Sequence, residues 1–162
     1  MTARFLSPVA LPLAAMACAA PASQQDRLTP EDEAAIRALH EEWSVNATAN
    51  RFIDNLKFYA EDAAELLATP RVGMPAIRER WEGFLPDYEF TGSEGTVREI
   101  GGTSEEAWVW AEFTNRYKLR GEPRIQHGNQ LTILRKQDGI WKVYRTTWQS
   151  TAVPDTASTG GR

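Results

Sequence analysis

Asp138-Gly139 stands between two runs of β-branched and aromatic residues, 125–136 and 140–150. Asp-Gly accepts the positive φ angles of a type I′ turn, whose twist suits two antiparallel strands. A two-residue turn there sets Gln137 opposite Ile140 and folds the chain into a hairpin. Residues 88–91, 96–100 and 107–119 have a similar strand-forming composition. They are punctuated by Gly101-Gly102 and Gly121-Glu122-Pro123. The second half of the chain is predicted to be an antiparallel meander.

The first half has helical spacing instead. Thr29-Pro30-Glu31-Asp32 is a helix start: a capping hydroxyl, a proline suited to the first turn, and acids at the positive end of the dipole. Ile36, Leu39, His40, Trp43 and Ala47 follow at helical intervals, which predicts a helix to about residue 49. Phe52, Ile53, Leu56 and Tyr59 form a short second helix, with Glu61-Asp62 as an acidic pair at its end. Residues 63–69 read as a strand stopped by Pro70. Pro75 opens a third helix carrying Ile77, Trp81, Phe84 and Leu85, and Pro86 closes it. Three helices before a meander predict an α+β domain with the helices on one sheet face.

Residues 1–23 carry one charge, Arg4, then an apolar run from 5 to 17 and a cluster of small residues. That order is the layout of a secretory leader. The run is too short to span a bilayer, and Pro8 and Pro12 interrupt it. Cys18 follows Ala15-Met16-Ala17, which fits either a bacterial lipoprotein box with Cys18 lipidated or a plain A-x-A cleavage site. The protein is expected to be exported, periplasmic or membrane-anchored as a lipoprotein, with membrane contact only through that lipid. The folded domain is expected over 24–152, and the Gly/Ser/Thr-rich tail 153–162 is expected to be disordered. A single Cys excludes an intramolecular disulfide framework. A net charge of −4 lacks the basic footprint of a nucleic-acid binder.

The stretches AIRALHEEWSVNA, NLKFYAEDAAELL, GMPAIRERWEGFL and GNQLTILRKQDGIWKVYRTTWQS, spread over residues 33–150, resemble the nuclear transport factor 2-like superfamily and its SnoaL-like branch of small bacterial domains. The resemblance implies a strongly curved sheet wrapped around the three helices, a cone with a pocket, and frequent homodimers. It also implies a wide range of roles, from ketosteroid isomerases, cyclases and dehydratases to binding modules. Fold analogy therefore does not choose the chemistry. Ketosteroid isomerase-type members carry acids on the strand after helix two and on the second-to-last strand, and a tyrosine on helix one. Those places fall on Leu67, Gln130 and Trp43, so carboxylate-driven isomerisation is disfavoured.

Alternation along the strands proposes a pocket. Pairing from Asp138-Gly139 puts Ile133 opposite Tyr144, Leu131 opposite Thr146 and Asn129 opposite Trp148, with His127 and Ile125 on the same face. The preceding strand has Val109, Ala111, Phe113, Asn115 and Tyr117 on one face and Trp108 and Trp110 on the other. Joining the more apolar faces demands a loop of odd length at Gly121. Tyr117 then neighbours His127, and Asn115 neighbours Asn129. The expected pocket comprises these four with Phe113, Tyr144, Thr146 and Trp148, closed by His40 and Trp43. Trp108 and Trp110 would form a dimer interface on the opposite face.

The chain contains no H-E-x-x-H, no G-x-S-x-G and no phosphate loop, and its two histidines give little for a metal. No metal and no cofactor is expected. Two readings remain. One is an exported domain that binds a small apolar or aromatic molecule. The other is a lyase, isomerase or cyclase in which His127 moves a proton and Tyr117 polarises a carbonyl.

Overall fold

The computed structural model describes residues 27–154. The leader, with Cys18, and residues 155–162 lie outside the described residues. The element order is helix α1 (Pro30–Thr48), a 3-10 helix (Phe52–Phe58), strands β1 (Tyr59–Glu65) and β2 (Arg71–Val72), helix α2 (Met74–Phe84), a 3-10 turn (Leu85–Asp87), and strands β3 (Tyr88–Gly102), β4 (Glu106–Leu119), β5 (Glu122–Gln137) and β6 (Ile140–Pro154). This is the expected α+β architecture, with helices packed in the hollow of a curved, unclosed sheet.

The sheet order is β2-β1-β6-β5-β4-β3. It is mixed rather than wholly antiparallel, because β1 runs parallel to β6. The strand expected over 63–69 begins at Tyr59 instead. The second helix stops at Phe58, which places Glu61 and Asp62 in β1. The two strands expected between Tyr88 and Ile100 are one, β3. Its pairing with β4 is shifted between Phe90 and Gly92 and again between Val97 and Glu99. Such bulges raise the local twist and bend the strand, which curves this side of the sheet. At the other end, Val153 and Pro154, expected to be disordered, extend β6 beside Ile125 and Arg124.

Helix α1 starts as its sequence dictates. The Thr29 hydroxyl accepts from Asp32 N–H at 3.1 Å, and the Asp32 carboxylate accepts from Thr29 N–H at 3.3 Å. Asp32 also accepts from Trp141 Nε1 at 3.1 Å and from Lys136 Nζ. The first turn of the helix is thereby tied to the last hairpin. Ile36 and Leu39 pack on Val109, Ala111, Leu134 and Trp141. A second cluster joins Leu56, Tyr59, Ala63, Ile77, Trp81 and Val143 beneath α2.

Candidate functional site

Between α1, α2 and the concave sheet face lies a cavity of about 710 Å³. That volume suits a small organic ligand. Aromatic rings form much of its wall. Trp43 meets Trp81 edge-on at 5.7 Å, Phe52 stacks on Phe90 at 5.0 Å, and Phe84 and Trp148 flank Arg80 at 5.3 Å each. Phe113 lies across Gly128, where an added Cβ would come within 2.5 Å of its ring. Glycine at 128 is what lets that ring lie against the sheet.

The polar groups are few and mostly committed. Glu65, at the end of β1, has no exposed surface. Its Oε1 accepts from Trp81 Nε1 at 2.8 Å and from the Tyr59 hydroxyl at 3.2 Å, and its Oε2 accepts from Arg80 Nη1 at 2.9 Å. Burial and the adjoining Glu65 charge push the Tyr59 phenol well above its ordinary pKa, so it stays a neutral donor. Along the concave face, Ser93 donates to Asn115, Asn115 to Gln126, and Gln126 to Ser150. Deeper in, Gln130 donates to Thr146, which is in contact with Thr132.

His40 differs from the rest. It borders the cavity from α1, and its buried Nε2 has no hydrogen-bond partner. Burial lowers its pKa to about 4. At neutral pH it is an uncharged imidazole with an unused polar atom.

The expected pocket is only partly assembled. His40, Trp43, Phe113, Asn115 and Trp148 border the cavity, whereas His127, Asn129 and Tyr144 do not. Two local features explain the difference. First, the β4–β5 loop has two residues, Arg120 and Gly121, at φ of 50° and 88°. This is an even, I′-like turn rather than an odd loop, so Tyr117 pairs with Arg124 and Thr114 pairs with His127. His127 and Tyr117 lie on opposite faces of the sheet, and the site proposed from their contact does not form. His127 is exposed on the outer face, with Nδ1 2.9 Å from the Thr114 hydroxyl. Asn129 is also exposed there and accepts from Trp110 Nε1. Second, pairing of β5 with β6 shifts between Ile133 and Leu134, leaving Tyr144 as the extra residue. Tyr144 turns outward between Arg135 and Arg145. Thr146 and Trp148 consequently oppose Thr132 and Gln130, not Leu131 and Asn129. Thr146 faces inward but is buried beneath Gln130, and Tyr117 is buried against Tyr88 and Phe90.

Sequence reasoning missed Glu65, Arg80, Gln126 and Gln130. The strand after the second helix does carry an acid, at Glu65 rather than at Leu67. It is fully buried, and three hydrogen bonds from Tyr59, Trp81 and Arg80 occupy its carboxylate.

Neither a protein-family model nor a curated protein matches the chain by sequence. Solved structures match it by shape. A scytalone dehydratase-like protein from Novosphingobium aromaticivorans aligns with TM-score 0.64 at 20% identity, over 76% of this chain and 87% of its own. A ketosteroid isomerase-like protein from Erwinia carotovora atroseptica gives 0.66 at 16%, over 75% and 98%. A hexachlorocyclohexane dehydrochlorinase of the LinA type 2 form gives 0.67 at 15%, over 76% and 88%. The fold is that of the nuclear transport factor 2-like superfamily. In this nuclear transport factor 2-like cone the cavity occupies the hollow between helices and sheet, and its wall takes residues from α1, the 3-10 helix, α2 and all six strands.

Proposed function

We propose that the cavity binds one small, flat, largely apolar molecule, and that the domain acts as a binding module rather than as an acid–base enzyme. The observation that carries this reading is a cavity of about 710 Å³ with aromatic walls, beside which the buried carboxylate of Glu65 is committed to three hydrogen bonds. Aromatic rings offer a large contact area at low conformational cost, and a few oriented polar groups select the ligand. The neighbours' names include a dehydratase-like protein and a dehydrochlorinase, but at 15–20% identity they lend a fold and not a reaction. A histidine enzyme would now have to use His40. A base with a pKa of about 4 has little driving force for proton abstraction at neutral pH. Native mass spectrometry of protein purified from its source cell tests the reading. One small molecule per chain, released on unfolding, is expected. Turnover of an aromatic substrate that disappears in His40→Gln would overturn it.

Two further expectations belong to the same proposal. Export rests on the Arg4, apolar-run and Cys18 order. If Cys18 is lipidated, Cys18→Ser moves the protein from the membrane fraction to the periplasm. Assembly as a two-fold dimer rests on the outer face, where Trp108, Trp110 and Leu131 are 37%, 41% and 47% exposed. Charges of both signs rim it, in the pairs Arg98–Glu112 and Glu106–Arg135, which suits contact with a second copy of the same surface.

A further inference from the structure

The cavity's floor has a chemical polarity that the aromatic walls do not reveal. Glu65 sits in register with Arg71 on β2 and with Thr146 on β6, so the three side chains share one face. Arg80 reaches the same point from α2. Two guanidinium groups, Arg71 and Arg80, thus border the cavity beside one fully buried carboxylate.

Arg80 commits only Nη1, to Glu65. Among the described residues its Nε and Nη2 make no hydrogen bond. Its guanidinium carbon lies 5.3 Å from the ring centroids of both Phe84 and Trp148, and a quarter of the side chain is exposed. Among the described residues Arg71 bonds only to the neighbouring Pro70 carbonyl. Three carboxylates border the same cavity. Glu94 and Glu112 are matched to Arg116 and Arg98, and Glu79 is exposed on α2. Glu65 itself is paired with one of the two cations, and unused guanidinium N–H donors remain at this end.

We infer that the ligand is a flat carboxylic acid, its carboxylate docked on the free guanidinium edge of Arg80 with Arg71 beside it and its apolar body against the aromatic wall. This rests on the binding-module reading above and adds the ligand's class. A carboxylate matches the paired N–H geometry of a guanidinium and gains charge-assisted hydrogen bonds that a neutral amide cannot. Glu65 acts as the anchor that holds Arg80 in place.

Isothermal titration with naphthoic acid and its amide tests this, because the two have the same ring and nearly the same shape. At neutral pH the acid is expected to bind about tenfold tighter or more, the scale of one charge-assisted contact. Arg80→Gln should shrink that preference to near unity, and Arg71→Gln should shrink it in part. Arg80→Lys keeps a cation on Glu65 and should retain part of the preference. If Arg80→Gln fails to fold, the wild-type ratio and the Arg71→Gln and Arg80→Lys variants decide. Equal binding of acid and amide overturns the inference and leaves the pocket reading standing. A preference unchanged in both arginine variants also overturns it. No binding of either compound overturns the inference and counts against the pocket reading itself.

Discussion

Arg80 donates to Glu65 at 2.9 Å, and the carboxylate it holds has no exposed surface. A buried charge is tolerated only when paired and hydrogen-bonded, so removing the cation leaves Glu65 with Tyr59 and Trp81 alone. Arg80→Met is expected to lower stability by about 3 kcal/mol. The double variant Glu65→Gln/Arg80→Met should cost less than the two single changes added together. Urea denaturation of the four proteins measures the coupling; strict additivity would remove the pair from the account.

Asp32 links the start of α1 to the last hairpin, and its titration should be visible in acid. Burial by itself would raise its pKa. Hydrogen bonds from Lys136, Thr29 and Trp141 outweigh that and hold it at about 2, against 3.8 for a free side chain. The folded state therefore binds the proton less readily than the unfolded one. The stabilisation is complete above about pH 4 and is lost as pH falls through 3.8 towards 2. Its size is roughly 2 kcal/mol. Asp32→Asn should be less stable at neutral pH and show a flatter stability profile over that acid range.

His40 gives a separate signature. Burial lowers its pKa from 6.5 to about 4, so stability is highest above 6.5 and declines as pH falls from there towards 4. In the His127→Gln background only one imidazole remains in the described domain, and NMR should follow it to a midpoint near 4. A midpoint near 6.5 would mean that His40 stands in water.

The outer face carries the assembly prediction. Trp110→Glu places a charge at the centre of the Trp108–Trp110–Leu131 patch and should convert a dimer to a monomer in sedimentation. A wild-type protein that sediments as a monomer at high concentration would contradict the interface.

The local punctuation of the chain was legible before its tertiary placement. Thr29-Pro30 marked the start of α1, Asp138-Gly139 marked the last hairpin, and alternation correctly put Val109, Ala111, Phe113 and Asn115 on the inner face of β4. On β5 the same reasoning inverted the strand. It assumed that the apolar set Ile125, Leu131 and Ile133 faces the helices. In the fold that set lies on the outer face with Trp108 and Trp110, while Gln126, Gln130 and Thr132 face inward and satisfy one another or border the cavity. A cavity with a polar floor defeats a rule that equates apolar with inside. The bulge at Tyr144 left no mark in the sequence, because no glycine or proline stands there. Glu65 was invisible for a similar reason. Its partners Arg80 and Trp81 arrive from a helix fifteen or sixteen residues later, and nothing local announces the meeting.

The central claim, that the hollow of the cone is a ligand site, is tested most directly by fluorine NMR on fluorotryptophan-labelled protein titrated with naphthoic acid. Of the six tryptophans, Trp43, Trp81 and Trp148 border the cavity. Trp108 and Trp110 sit on the outer face, and Trp141 is buried against Asp32. Saturable shifts of the Trp43, Trp81 and Trp148 resonances, with the other three unmoved, are the predicted result. Shifts confined to Trp108 and Trp110, or none at any tryptophan, would contradict it.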